Sequence, residues 1–260
     1  MLKLTAENYY SPEANREYFS TSQVKSFMKC PAATMAELRG EYVRPVTSSL
    51  LIGSYVDAYF EGTLNDFIAE HPEVLKRDGT LKAEYERAQT MCDRAERDAF
   101  WMSYQQGDKQ RILTGVIEGI PFKAKLDVYL PGERIVDTKT VKDFKPQYKP
   151  GAGMVSFIEA WSYDLQMAIY QALEGNGLPC YIDAVTKEPC PDIAVIQIPQ
   201  HYMDAALAVL RTDLAYYDAI KQGQIEPPRC GHCDYCKSTK VLDRVQEITE
   251  FESEEEELNE

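Results

Sequence analysis

The chain has 260 residues, 44% of them hydrophobic and 27% charged, enough to bury the core of one large domain with embellishments. No run of 18 or more apolar residues occurs and no apolar run follows positive charge at the start, so neither a membrane-spanning nor a secreted protein is expected. The net charge of −14 argues against a uniformly basic nucleic-acid binder, but eight of those charges lie at Glu247, Glu250, Glu252, Glu254, Glu255, Glu256, Glu257 and Glu260, leaving about −6 for residues 1–246.

Taken in chain order, Ser20, Thr21 and Ser22 offer helix-capping oxygens. Val24, Phe27 and Met28 form one apolar stripe before Cys30-Pro31 interrupts it. A short second helix is expected over residues 32–38. Residues 48–64 read as a buried helix, on which Asp57 and Glu61 share a face where unpaired carboxylates are costly. Residues 65–110 read as charged and helical, with one helix over 81–102. Strand character returns over 111–118, which is expected to pair with 119–130 across Glu118-Gly119.

In that second strand Phe122, Ala124, Leu126, Val128 and Leu130 alternate with Lys123, Lys125, Asp127 and Tyr129, the period of a strand with one buried face. Pro131-Gly132 makes a turn and residues 134–139 form another strand, so antiparallel pairing brings Asp127 and Asp137 together. Two carboxylates beside Lys139 suit a Mg²⁺ or Mn²⁺ site, with the lysine holding a water or offsetting charge on a phosphate. On pattern alone the same three residues read equally well as strand-edge and turn charges. Lys139, Lys142, Lys145 and Lys149 then make a local basic run, either following a phosphate backbone or simply solvated.

A long helix is expected over 154–174, with Met154, Ile158, Trp161, Leu165, Ala168, Ile169 and Ala172 as its apolar stripe. Glu159, Tyr163, Gln166 and Tyr170 share a second face. Residues 192–200 read as a strand central to the sheet, and Met203, Leu207, Leu210, Leu214 and Tyr217 mark a helix ending near Gln222-Gly223. Cys180 and Cys190 are expected to flank a turn. Cys230-x-x-Cys233-x-x-Cys236 is a tight thiol spacing, and Cys30-Pro31 is a remote fourth candidate. Seven cysteines without a leader point to a reducing, cytoplasmic setting, where such clusters bind metal: a 4Fe–4S cluster or, alternatively, Zn²⁺, with or without His232.

Asp127, a hairpin, then Asp137-Thr138-Lys139 resembles the core motif of the PD-(D/E)XK nuclease superfamily. Gly119-Ile-Pro-Phe followed by Asp127, with Ile135-Val-Asp137-x-Lys139, is similar to its RecB-type branch, which includes phage RecE-type exonucleases. Gly53-x-x-x-Asp57-x-x-x-Glu61 resembles a helix of that branch in which a histidine, here Asp57, is a metal ligand. Gln166-x-x-x-Tyr170 resembles its Gln-x-x-x-Tyr signature. Ser22, Phe27 and Cys30-Pro31, with the downstream cysteines, resemble the motifs of its iron–sulfur members, whose downstream spacing is wider.

The resemblance implies an α/β restriction-endonuclease-like core, a central mixed sheet flanked by helices, plus a helical extension stapled by a cysteine-ligated cluster. It implies catalysis by Asp127, Asp137 and Lys139, and a Mg²⁺ or Mn²⁺ ion on Asp57, Asp127, Asp137 and the Thr138 carbonyl. A 4Fe–4S cluster would sit on Cys30, Cys230, Cys233 and Cys236, with Glu61, Gln166 and Tyr170 binding or positioning DNA. The activity implied is exonucleolytic hydrolysis of linear double-stranded DNA for phage-type recombination, with a single-strand annealing protein as partner and a homo-oligomeric state. A non-catalytic DNA-binding or assembly protein retaining the fold is the alternative. The domain organisation expected is a single nuclease domain over 1–246: an N-terminal helical region over 1–110, a catalytic core over 111–222 and a cysteine-rich segment over 223–240. A disordered acidic tail follows over 247–260.

Overall fold

Oxygen-bearing caps start most of the helices that precede the sheet. In the computed structural model, which describes residues 2–149 and 151–248, α1 (Pro12–Glu17) begins where Ser11 Oγ accepts from the Ala14 N–H, and α2 (Thr21–Lys29) where Ser20 Oγ accepts from Gln23. Cys30 ends α2 and starts α3 (Pro31–Arg39), whose Pro31 occupies a first-turn position that needs no N–H. Thr47 caps α4 (Ser48–Glu61), and α5 (Leu64–Glu70), α6 (Ala83–Glu96) and α7 (Ala99–Tyr104) follow. The single helix expected over 81–102 is thus two. Asp98 leaves helical geometry, and its carboxylate accepts from the Trp101 N–H to start α7 afresh.

The chain then forms β1 (Asp108–Ile117), β2 (Ile120–Leu130) and β3 (Arg134–Val141), a small ribbon of β4 (Gln147–Lys149) and β5 (Gly153–Val155), and α8 (Phe157–Ala160). It continues through α9 (Tyr163–Glu174), β6 (Cys180–Thr186), β7 (Ile193–Gln197), α10 (Gln200–Lys221) and α11 (Asp234–Ser238). The five-stranded sheet has the order β1-β2-β3-β6-β7 and is mixed: β3 and β6 run parallel, the other neighbours antiparallel. The β1–β2 turn is tight because Glu118 and Gly119 both take positive φ, +48° and +80°, which matches the twist of a two-residue hairpin.

Two expectations fail here for identifiable reasons. The strand over 192–200 is an edge, not the centre; the central position beside β3 belongs to β6, whose Cys180 opens the strand and does not flank a turn. The helix over 154–174 is interrupted. Ser156 and Glu159 form a reciprocal cap that begins α8 after β5, and Ser162 at φ +52° breaks the chain again before α9. Met154 and Trp161 are accordingly exposed, while Ile158, Leu165, Ala168 and Ile169 are buried.

One core lies between α9 and the sheet, where Met167 and Ala168 meet Leu126, Ile135 and Ile182. A second joins α2 and α10 through Phe27, Leu214 and Tyr217, with Phe19 and Phe122 stacked beside them. A third packs Tyr55 and Val56 of α4 against Tyr85 and Met91 of α6 and Val185 of β6. The sheet is therefore covered on both faces, and α4 and α9 approach its middle from opposite sides.

Candidate active site

The β2–β3 ladder pairs only Val128 to Leu130 with Arg134 to Val136; beyond it the strands part. At that opening the Thr138 N–H donates to Asp127 Oδ2 at 3.0 Å, so a side chain takes the place of the lost ladder bond. Alternation along β3 puts Asp137 on the same face as Ile135 and Val141, toward α9, where Gln166 Nε2 donates to its Oδ1 at 2.7 Å. Tyr170, one turn on, bonds Gln166 at 2.9 Å. The other oxygen, Oδ2, belongs to a side chain only 1% exposed and has no well-angled hydrogen bond; it faces the Lys139 ammonium.

Asp57 and Glu61 reach the same opening from α4 and line, with Asp127, Asp137, Lys139, Gln166 and Tyr170, a cleft of about 280 Å³. Gly53, one turn before Asp57, faces Thr140 of β3. The sequence-predicted residues of the two strands, of α4 and of α9 therefore converge; Glu159, on the expected aromatic face, does not, because it is used in the α8 cap.

The electrostatics are those of carboxylates crowded together in a buried setting. Burial drives Asp127 well above the usual carboxylate range, with Asp137 adding to the rise. Asp57 is pushed up to about 7, by burial first, against the opposing pull of Lys139. Burial pulls the Lys139 ammonium down, but Asp137, Asp127 and Asp57 together outweigh it and hold the group above lysine's ordinary value. Asp57, Asp127 and Asp137 thus gather around the Lys139 ammonium, with Lys25, Lys123 and Lys125 also lining the cleft. Carboxylates from α4, β2 and β3 converging in one cleft make an all-oxygen donor set, which fits a hard divalent cation such as Mg²⁺ or Mn²⁺.

Several residues here were not singled out from sequence. Gln110 takes the left-handed conformation at φ +55° and its amide lies 3.4 Å from Asp127 Oδ1. Lys25 of α2 donates to the Trp161 carbonyl at 2.9 Å, and burial together with Lys139 nearby lowers it to about 8. Gln105 spans Thr138 Oγ1 and Asp183 Oδ2, and Asp183, fully buried on β6, is raised to about 7 by burial. Lys25 lies within the Ser22 to Cys30 motif, which is the signal that was available for it. A strained Gln110 and a strand that reads as a turn left no such signal. A larger depression between α1, α2 and α3, about 510 Å³, is lined by one carboxylate, Glu37, and offers no comparable donor set.

At the other end of α2, Cys30 meets Cys230, Cys233 and Cys236, all four sulfurs lying within 4.8 Å of one another. His232 is exposed and outside this set.

No curated protein matches the chain. A crystal structure of a protein from Eubacterium rectale named "Putative exonuclease" superposes with a TM-score of 0.94 at 37% identity, covering 96% of this chain and 98% of that one. The match to a solved structure of SSO0001 covers 86% of this chain and 96% of that one at 13% identity, with a TM-score of only 0.32. Residues 20–239 match the family described as "PDDEXK-like domain of unknown function (DUF3799)", a span that takes in Cys30, the splayed strands and the cysteine triplet alike. The chain belongs to this PDDEXK-like family.

Proposed function

We propose that the protein is a Mg²⁺- or Mn²⁺-dependent deoxyribonuclease that digests linear double-stranded DNA from its ends. The observation that carries this reading is the convergence of Asp57, Asp127 and Asp137 with Lys139 where β2 and β3 part. The name of the Eubacterium rectale relative and the resemblance to RecE-type exonucleases support the exonucleolytic mode and a place in phage-type recombination. That setting would hand the resected strand to a single-strand annealing protein, and the reading extends to a homo-oligomer working in the cytoplasm. Residues 1–246 form the nuclease unit and 247–260 its acidic tail. Among the described residues no helix is long and apolar enough to cross a membrane.

In this reading Asp57, Asp127, Asp137 and the Thr138 carbonyl hold the cation, which when bound supplies Lewis-acid charge opposite the scissile phosphate. Lys139 orients the attacking water and offsets charge that builds on the phosphate. Gln166 fixes the plane of Asp137 through its 2.7 Å hydrogen bond, and Tyr170 fixes Gln166 in turn. Glu61 and Lys25 line the approach of the DNA strand, and Lys142, Lys145 and Lys149 follow its phosphates.

The test is digestion of end-labelled linear duplex against a covalently closed circle, with Mg²⁺, with Mn²⁺ and with chelator. Metal-dependent loss of the linear DNA alone is the expected outcome, and the order of label release gives the polarity. Cleavage of the circle would make the enzyme an endonuclease. DNA binding without cleavage under either metal would leave the non-catalytic alternative.

A further inference from the structure

The cysteine sulfurs themselves discriminate between the metals they could hold. In an iron–sulfur cubane each cysteine binds a different corner iron, so the four sulfurs stand farther apart than four donors around one ion. Around a single tetrahedral ion with a metal–sulfur distance near 2.3 Å, neighbouring sulfurs are about 3.8 Å apart. Here Cys30 Sγ is 3.6 Å from Cys236 Sγ, Cys230 Sγ is 3.9 Å from Cys236 Sγ, and every pair lies within 4.8 Å. Two of these edges match a tetrahedron about one atom, and all six are shorter than a cubane needs. A cube of iron and sulfide does not fit between them.

The backbone is arranged to hold thiolates. The N–H groups of Ala33, Cys233 and Cys236 point at the sulfurs of Cys30, Cys230 and Cys233 at 3.5, 3.4 and 3.5 Å, each donated from three residues on. Such donors stabilise the thiolate form that a metal requires. Gly231, at φ +82°, supplies the left-handed residue inside the Cys230–Cys233 turn. Cys30 and Cys236 are buried and Cys230 and Cys233 half-buried, so the site is closed by protein on one side, as a structural site would be.

We infer that the chain departs from the iron–sulfur pattern its cysteine motifs resemble, and that Cys30, Cys230, Cys233 and Cys236 bind one Zn²⁺ ion. The inference does not depend on the nuclease reading, since it rests on a different set of residues.

The full chain would be expressed with both iron and zinc supplied, purified without air, and analysed for metals, acid-labile sulfide and visible absorbance. About one zinc per chain, no sulfide and a colourless protein are expected. Iron and sulfide at about four each per chain, with the broad visible band of a cluster, would overturn the inference. If the protein emerges metal-free, Co²⁺ is titrated in: tetrahedral thiolate bands saturating at about one equivalent support the site, and their absence sinks it. Cys30→Ser should lower zinc retained against a chelator at least about tenfold. Cys190→Ser, at an exposed thiol outside the cluster, should leave it unchanged.

Discussion

Asp137 is held from two sides: Gln166 donates to one oxygen while the other pairs with the Lys139 ammonium in a buried setting. Such an arrangement costs stability unless something compensates it, and Lys139 is the only cation among the described residues in ion-pair contact with Asp137. Lys139→Ala is therefore expected to lower DNA hydrolysis by at least about a hundredfold while DNA binding persists. Single-turnover digestion with a parallel binding assay checks this, and an unimpaired variant would remove Lys139 from the chemistry. Asp183 is a second buried carboxylate, held by Gln105 and titrating at about 7 because of burial. Between its ordinary value near 4 and about 7 the folded chain keeps a proton that the unfolded chain has lost. Folding is accordingly favoured below that window and weakened as pH rises through it. Asp183→Asn removes the ionisation: it should melt close to the parent at pH 4 and above it at pH 8. The shift sets an upper bound on the order of 4 kcal/mol. Equal melting differences at both pH values would show that Asp183 is not the titrating group.

At the level of elements, the hairpin carrying Asp127 and Asp137 was legible because strand alternation and the Pro131-Gly132 turn are local signals. The helix carrying Asp57 was legible as an apolar run over residues 48–64, where Thr47 caps α4 and Gly62 ends it. What stayed hidden depends on non-local packing. β6 is central only because it pairs in parallel with β3 across the α8–α9 connection, and no short-range pattern states that partnership. The break at Ser162 was hidden too, since the apolar period runs on through it and only the backbone reverses. Gly53 offers a test at this scale. It is helical, and an added Cβ would meet Thr140 Oγ1 at 3.5 Å, an ordinary contact. Gly53→Ala should therefore raise stability by about 0.5–1 kcal/mol, through helix propensity, without moving Asp57. Chemical denaturation and the nuclease assay read the two halves of that statement. A destabilised variant would mean that α4 and β3 approach more closely than this.

Across the whole molecule, the cysteine site joins the junction of α2 and α3 to the segment after α10, so it closes a loop of about 200 residues. The same α2 carries Lys25 to the candidate active site, and its Phe27 packs on Tyr217 of α10 with ring centroids 5.7 Å apart. A metal bound by these cysteines and the second core would therefore act on one helix from two sides. By analogy with a covalent cross-link, closing a loop this long restricts the unfolded chain by roughly 4–5 kcal/mol at most. At about 2–4 °C per kcal/mol for a chain of this size, Cys30→Ser should lower the melting temperature by as much as about 20 °C. Stripping the metal with chelator should reproduce the loss in the parent but add little in the variant, because both remove the same link. Cys92→Ala, inside the α4–α6 core, would also destabilise, yet its loss should add to that of the chelator. Melting the parent and both variants with and without chelator separates the cases: additivity for Cys30→Ser would mean that the metal does not tie α2 to the end of the chain.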